Sequence, residues 1–128
     1  MAKEKVGEGN KQEAALRWDK DKLRMDLIPV RPLLDIAAVY TMGANKYADR
    51  NWEKGMSWSR MIGSMERHWF KFKGGEDFDD ESGLYHLAHA AWNIIGLLEF
   101  YRTHPELDDR ARNIFNDKNV ADGSEDYM

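Results

Sequence analysis

The chain contains no cysteine. That excludes a disulfide framework, a thiol nucleophile and any metal site built on sulfur, and it is compatible with a reducing, cytoplasmic setting. No apolar run approaches the ~18 residues that a membrane-spanning helix needs. The first residues lack the pattern of an export signal, so neither a membrane span nor secretion is expected. Basic residues are not in excess: 19 Lys/Arg stand against 23 Asp/Glu, a formal charge of −4. Proteins that follow a nucleic-acid backbone normally present a basic face, so a long nucleic acid is not an expected partner. There is no phosphate-binding P-loop and no GxGxxG; Gly74-Gly75 stands outside any such pattern. Strand-like alternation of apolar and polar residues is missing as well.

What is present suits a folded domain. A length of 128 residues fits one domain, and 33 % charged with 12 % aromatic residues argues against a disordered chain. The charges are segregated. Residues 1–75 carry 15 Lys/Arg and 10 Asp/Glu, residues 76–102 carry one and six, and residues 103–128 carry three and seven. The polar ends, 1–12 and 116–128, read as a flexible arm and an acidic tail, leaving a single helical domain over 13–115.

The segment from Lys20 to Pro29 is expected to be extended, because the residue before proline avoids the helical region. Apolar spacing at Leu33, Ile36, Ala37 and Tyr40 predicts a helix from about Arg31 to about Met42, opened by Pro32 and ended by Gly43. Residues 44–55 are too polar for a core and read as a loop or broken helix end. A second helix is expected from a Ser57 or Ser59 cap to Lys73, with Met61, Met65, His68 and Phe72 on one stripe. The third, about Leu84–Tyr101, is apolar nearly all round and so predicted to be central and buried. A short fourth helix is expected over about Glu106–Phe115. The fold class is therefore all-α, a small antiparallel bundle of about four helices.

Four groups of residues carry chemistry. His86, His89 and Asn93 lie at i, i+3 and i+7, one polar stripe on an apolar helix. Either each hydrogen-bonds internally and locks the packing, or together they form a site. Glu76, Asp77, Asp79, Asp80 and Glu81 crowd five carboxylates into six positions. They form either a solvated turn that caps the next helix or a cation site, since carboxylate oxygens suit Mg²⁺ and Mn²⁺. Glu66-Arg67-His68 faces the histidine stripe if the second and third helices pair antiparallel. Lys46-Tyr47 with Arg50-Asn51-Trp52 offers cations for phosphate and rings or an amide for a base; the alternative is a surface loop that buries Trp52.

At these residues the chain resembles a known family. Lys22-Leu-Arg-Met-Asp-Leu-Ile-Pro29, Gly43-Ala-Asn-Lys-Tyr47, Arg50-Asn-Trp-Glu-Lys-Gly55, Arg67-His68, Gly75-Glu-Asp77, Asp79, Glu81-Ser-Gly-Leu84 and His86-Leu-Ala-His-Ala-Ala-Trp-Asn93 together look like the phage-type dATP/dGTP diphosphohydrolase N-terminal domain, related to MazG-like all-α nucleotide pyrophosphohydrolases. The resemblance covers roughly residues 20–100. It implies a four-helix, usually homo-oligomeric fold that hydrolyses a (deoxy)nucleoside triphosphate, dATP or dGTP, to the monophosphate and pyrophosphate with Mg²⁺ (or Mn²⁺). MazG-like enzymes hold their metals with Glu-x-x-Glu and Glu-x-x-Asp. This chain departs from that pattern: the second helix has Glu66 alone, and the third has His86-x-x-His89.

The expected metal ligands are thus Glu66, Glu76, Asp77, Asp79, His86 and His89. The expected catalytic groups are Glu66, Glu81 and His89, and the expected substrate contacts are Lys46, Tyr47, Arg50, Asn51, Trp52, Arg67, His68 and Asn93. Two other readings stand beside this one. One is a histidine/aspartate metal phosphohydrolase acting on nucleotides; the other is a non-enzymatic helical module that binds a nucleotide or a protein.

Overall fold

A computed structural model describes residues 15–18, 20–111 and 115. The expected arm over 1–12 and tail over 116–128 lie outside the described residues. The chain divides into two units, residues 1–30 and residues 31–128. In the first, a 3-10 turn spans Met25–Leu27, beside an Arg24–Asp26 ion pair of 2.8 Å.

The second unit holds the helical scaffold. Three α-helices are found among the described residues: α1 Val30–Lys46, α2 Trp58–Lys73 and α3 His86–Thr103. Among the described residues no strand longer than an isolated bridge accompanies them. The all-α expectation holds, with three differences of detail.

First, α1 does not stop at Gly43. The amide of Tyr47 donates to the carbonyl of Gly43 at 2.9 Å, so the ladder continues through the glycine. One interior glycine costs only about 1 kcal/mol, which an otherwise unbroken helix absorbs. Second, α3 begins at His86 rather than Leu84, because residues 78–85 close on themselves as a hairpin-like link. Third, the segment expected as a fourth helix opens with a 3-10 turn at Pro105–Leu107. Residues 108–111 form no regular element, and residues 112–114 lie outside the described residues.

Helices α2 and α3 pack against each other as an antiparallel pair. Trp58, Met61 and Phe100 form the buried centre, with Trp52, Met56, Trp92, Leu97 and Leu107 packed around it. Full burial of Met61 or Phe100 contributes about 1.5–3 kcal/mol each. The pairing has a regular register. Met61 lies over Gly96, Ser64 bonds Asn93 and His68 stacks on His89. One helix steps forward by three and four residues while the other steps back by the same amounts, as antiparallel packing requires.

Loop chemistry anchors the ends of the pair. Ser57 occupies the N-cap of α2 but makes no side-chain cap bond. Asp109 does that work instead, accepting from the Ser59 amide at 2.8 Å and the Ser59 hydroxyl at 2.6 Å. A carboxylate there also meets the positive end of the helix dipole. Gly55, at φ 91°, sits where a Cβ would lie 2.8 Å from Leu107 and 2.9 Å from His104, so no other residue fits that turn.

The expectation of a wholly buried α3 is corrected in part. His86, Ala88, His89, Ala90, Asn93, Gly96 and Phe100 are buried, but Leu87, Ile94, Leu98 and Tyr101 are exposed. The sequence is apolar on both sides of this helix, and α2 covers only one of them.

Candidate functional site

The register that places Met61 over Gly96 also brings His68 of α2 onto the histidine stripe of α3. The ring of His68 stacks on His89 with centroids 4.5 Å apart and planes 9° from parallel. The Nδ1 atoms of His68 and His86 approach to 2.9 Å.

The acidic link supplies the rest. Its backbone is clamped by bonds from the Asp79 amide to Leu84 O (2.8 Å), the Gly83 amide to Asp79 O (2.7 Å) and the His86 amide to Asp77 O (2.9 Å). Gly83 at φ 74° makes the reversal possible. The stacked rings of Phe78 and Tyr85 brace the hairpin from outside.

This clamp aims Glu76 and Asp79 at the imidazoles. His86 Nε2–H donates to Glu76 Oε2 at 2.6 Å. In the neutral tautomer this leaves, Nδ1 of His86 carries a lone pair toward His68. Asp79 Oδ2 accepts from the Ser82 amide at 2.8 Å and lies 4.0 Å from His89 Nε2. Ser82 Oγ shares a 2.7 Å hydrogen bond with His89 Nε2 and accepts from the Leu84 amide.

The electrostatics follow from burial and crowding. Burial, reinforced by the neighbouring His89, pushes His68 down to about 4. Burial also lowers His89. For Asp79 burial works upward, but the Ser82 amide and hydroxyl and then the imidazoles outweigh it and hold the carboxyl below its usual range. At neutral pH the cluster therefore presents unprotonated rings at His68 and His89 beside an ionised Asp79.

His89 also belongs to a cavity of about 720 Å³. The cavity runs between the end of α1, the 47–52 loop and the inner faces of α2 and α3. Lys46, Tyr47, Arg50, Asn51, Trp52, His89 and Asn93 all line it. Seven of the expected site residues, from three separate stretches of sequence, thus share one wall. Arg50 has a left-handed backbone (φ 57°) and its guanidinium pairs with Glu53 at 3.0 Å. Lys46 lies 5.4 Å from the Tyr47 ring centre. Trp52 has its ring against both Tyr40 and Phe100, so it is at once wall and core.

Asn93, 3 % exposed, donates its amide protons to Ser64 Oγ at 3.2 Å and to His89 O at 2.9 Å. The His89 carbonyl fixes the orientation of the amide, since the flipped form would oppose two acceptors. Both donors are spent inside the protein, and Oδ1 has no protein partner among the described residues.

Other expected residues are not drawn in. Glu66 and Arg67 are exposed. Glu66 precedes His68 by two residues, about 200° around the helix, and so points away from the cluster. Asp77 takes part through its carbonyl, not its carboxylate. Glu81 is exposed and meets Lys46 at 3.4 Å. Ser64, Ser82, Tyr40, Met56 and Trp92 belong to the site or its cavity without having been expected there. Only the hairpin turns Ser82 toward His89.

The family model for the dATP/dGTP diphosphohydrolase N-terminal domain matches residues 12–110. The chain belongs to that family. A protein of Salmonella phage PMBT28 named dATP/dGTP diphosphohydrolase is 33 % identical over 95 residues, which is 74 % of this chain and 32 % of that protein. This member of the family thus spans about a third of the length of that relative. No solved structure matches it. No helix among the described residues is long and apolar enough to cross a membrane.

Proposed function

We propose that the chain takes part in hydrolysing a deoxynucleoside triphosphate, dATP or dGTP, to the monophosphate and pyrophosphate. The observation that carries this reading is the cavity: it has the size of a nucleotide site, two cations, aromatic walls, and a direct passage to His89. The family and the name of the phage relative support the substrate class.

In this reading Lys46 and Arg50 neutralise phosphate charge. Tyr47 and Trp52 flank the base or sugar, and Asn51 adds a polar contact. Asn93 Oδ1 accepts a hydrogen bond from the base, as the exocyclic amine of adenine or guanine provides. A buried acceptor left unpaired costs about 1–3 kcal/mol, so a ligand that lacks the donor is disfavoured by a similar amount. His89 receives the proton of the attacking water. Burial keeps its ring unprotonated at neutral pH, and Asp79 stands ready to stabilise the imidazolium.

The exposed stripe on α3 supports a homo-oligomer. Exposed Leu87, Ile94, Leu98 and Tyr101, with half-buried Ala91, recur at alternating steps of four and three, the spacing of a helix–helix seam. A second copy of the chain presenting the same stripe is the occupant that a twofold interface would supply.

The test is a screen of the purified chain against the four dNTPs with divalent cations, with the products separated. Deoxynucleoside monophosphate and pyrophosphate are expected from the purine substrates, with loss of turnover in His89→Ala. Release of inorganic triphosphate would overturn the reaction assigned here and favour the histidine/aspartate phosphohydrolase reading, which the imidazole–carboxylate cluster keeps in play. No turnover and no dNTP binding would remove the nucleotide reading altogether.

A further inference from the structure

The resemblance that implies Mg²⁺ also implies paired carboxylates to hold it, and the folded chain does not assemble them. Glu66 turns away from the α2–α3 interface, Asp77 contributes only its backbone, and Glu81 sits out by Lys46. What converges instead is nitrogen-rich. One ligand atom each from His68, Asp79 and His86 lies within 4.8 Å of the other two. Mg²⁺ is a hard ion that prefers oxygen and retains its waters. Imidazole suits Zn²⁺, Fe²⁺, Co²⁺ and their neighbours. The donor set and the expected metal disagree.

We propose that His68, Asp79 and His86 form a binding site for one imidazole-preferring dication of the Zn²⁺, Fe²⁺ or Co²⁺ kind rather than for Mg²⁺ or Mn²⁺, with Glu76 as the outer carboxylate that orients His86. Three features of the fold support it. His86 is fully buried, and its Nε2–H is tied to Glu76, so Nδ1 can face only the cluster. Metal-binding histidines are typically held in this way, by a carboxylate on the far nitrogen. Asp79 is held by the Ser82 amide within a hairpin that the backbone itself clamps, so the oxygen donor is placed before any ion arrives. Finally, the two Nδ1 atoms are already 2.9 Å apart, from different helices. An ion would take over a contact that one shared proton now makes. Three protein donors leave further coordination positions open, as in metal sites that act on a ligand. The cavity adjoins this cluster through His89, so the proposal deepens the hydrolase reading by naming the metal class, yet it stands on geometry that needs no nucleotide.

The test is metal binding to the full chain, stripped with chelator, by calorimetry and by the visible spectrum of added Co²⁺. One Zn²⁺ or Co²⁺ per chain is expected to bind about 100-fold or more tightly than Mg²⁺, with a Co²⁺ spectrum that shows nitrogen ligation. Glu76→Gln is expected to weaken binding by about 10–100-fold, His68→Gln to abolish the stoichiometric site, and Glu66→Gln to change nothing. His86 is fully buried, so circular dichroism accompanies His86→Ala, and His68→Gln, at a partly exposed position, carries the conclusion if that variant unfolds. Equal or tighter binding of Mg²⁺, no stoichiometric binding of any dication, or wild-type affinity in His68→Gln would each overturn the proposal. The two readings fail separately: tight Zn²⁺ binding without dNTP turnover removes only the nucleotide, and dNTP turnover by a wild-type chain that shows no stoichiometric Zn²⁺ or Co²⁺ binding removes only this metal site.

Discussion

Gly96 is where the α2–α3 register is tightest, and a double-mutant cycle through it tests the packing that builds the site. A Cβ at Gly96 would lie 2.5 Å from Met61 Cε, against about 3.5–4.0 Å for a relaxed carbon contact. Met61 is 1 % exposed and enclosed by Trp58 and Phe100, so its tip has little room to retreat. Overpacking of this kind costs about 1–3 kcal/mol. Against it, Gly→Ala inside a helix gains about 1 kcal/mol. Gly96→Ala is therefore expected to destabilise by about 0–2 kcal/mol in the native background. Met61→Leu removes the offending Cε. In that background the same Gly96→Ala change is expected to stabilise by about 0.5–1 kcal/mol, because only the helix gain remains. The sign reversal is the diagnostic. Urea unfolding followed by tryptophan fluorescence measures all four proteins, and the expected coupling is about 1–3 kcal/mol. Additivity within about 0.5 kcal/mol would refute the close approach and, with it, the register that stacks His68 on His89.

Two further outcomes follow from the same structure. His104 donates from Nε2 to Glu53 O and from Nδ1 to Glu106, which raises it above its ordinary 6.5; a raised folded value contributes stability that is complete below about pH 6.5 and is lost as pH rises through the folded value. Wild type should lose more of its urea midpoint between pH 6 and pH 8 than His104→Gln does, and identical pH profiles would sink that account. Leu98→Glu places a charge in the exposed α3 stripe without touching the α2 face, so light scattering should show a smaller assembly with helicity intact; an unchanged mass would remove the stripe from any interface.

Much of the site was legible in the sequence because its key residues lie on helices, where spacing predicts direction. His86, His89 and Asn93 share a face by arithmetic alone, and that face does meet His68. Glu66 lies close to His68 in sequence, but the 100° turn per residue sets the two on different sides of α2, and Glu66 is exposed. The acidic link was less legible. Its five carboxylates look alike as text, but the folded link sets Glu76 against His86 and Asp79 near His89, and leaves Glu81 in solvent. Ser82 gained its role from that hairpin, not from any local pattern. The cavity was legible only in halves. Lys46 to Trp52 announced polar and aromatic contacts, while Tyr40, Ser64 and Trp92, which complete the wall, read as ordinary helix positions. The extent of α1 was missed because Gly43 signals a stop in sequence but faces open space in the fold, where nothing forces one.

Among the described residues, His89 is the one side chain that both lines the cavity and stacks within the histidine cluster. The cavity otherwise draws mainly on α1 and the 47–52 loop, with Ser64, Trp92 and Asn93 closing it, and the cluster on the end of α2, the hairpin and the start of α3. The two halves can therefore drift apart in evolutionary time. Exchanges at Tyr47, Asn51 or Trp52 alter what the cavity admits without moving an imidazole, and exchanges in the hairpin alter the cluster without reshaping the cavity. Diversification within the family is accordingly expected to run freely on either side of His89 and to stall at His89 itself.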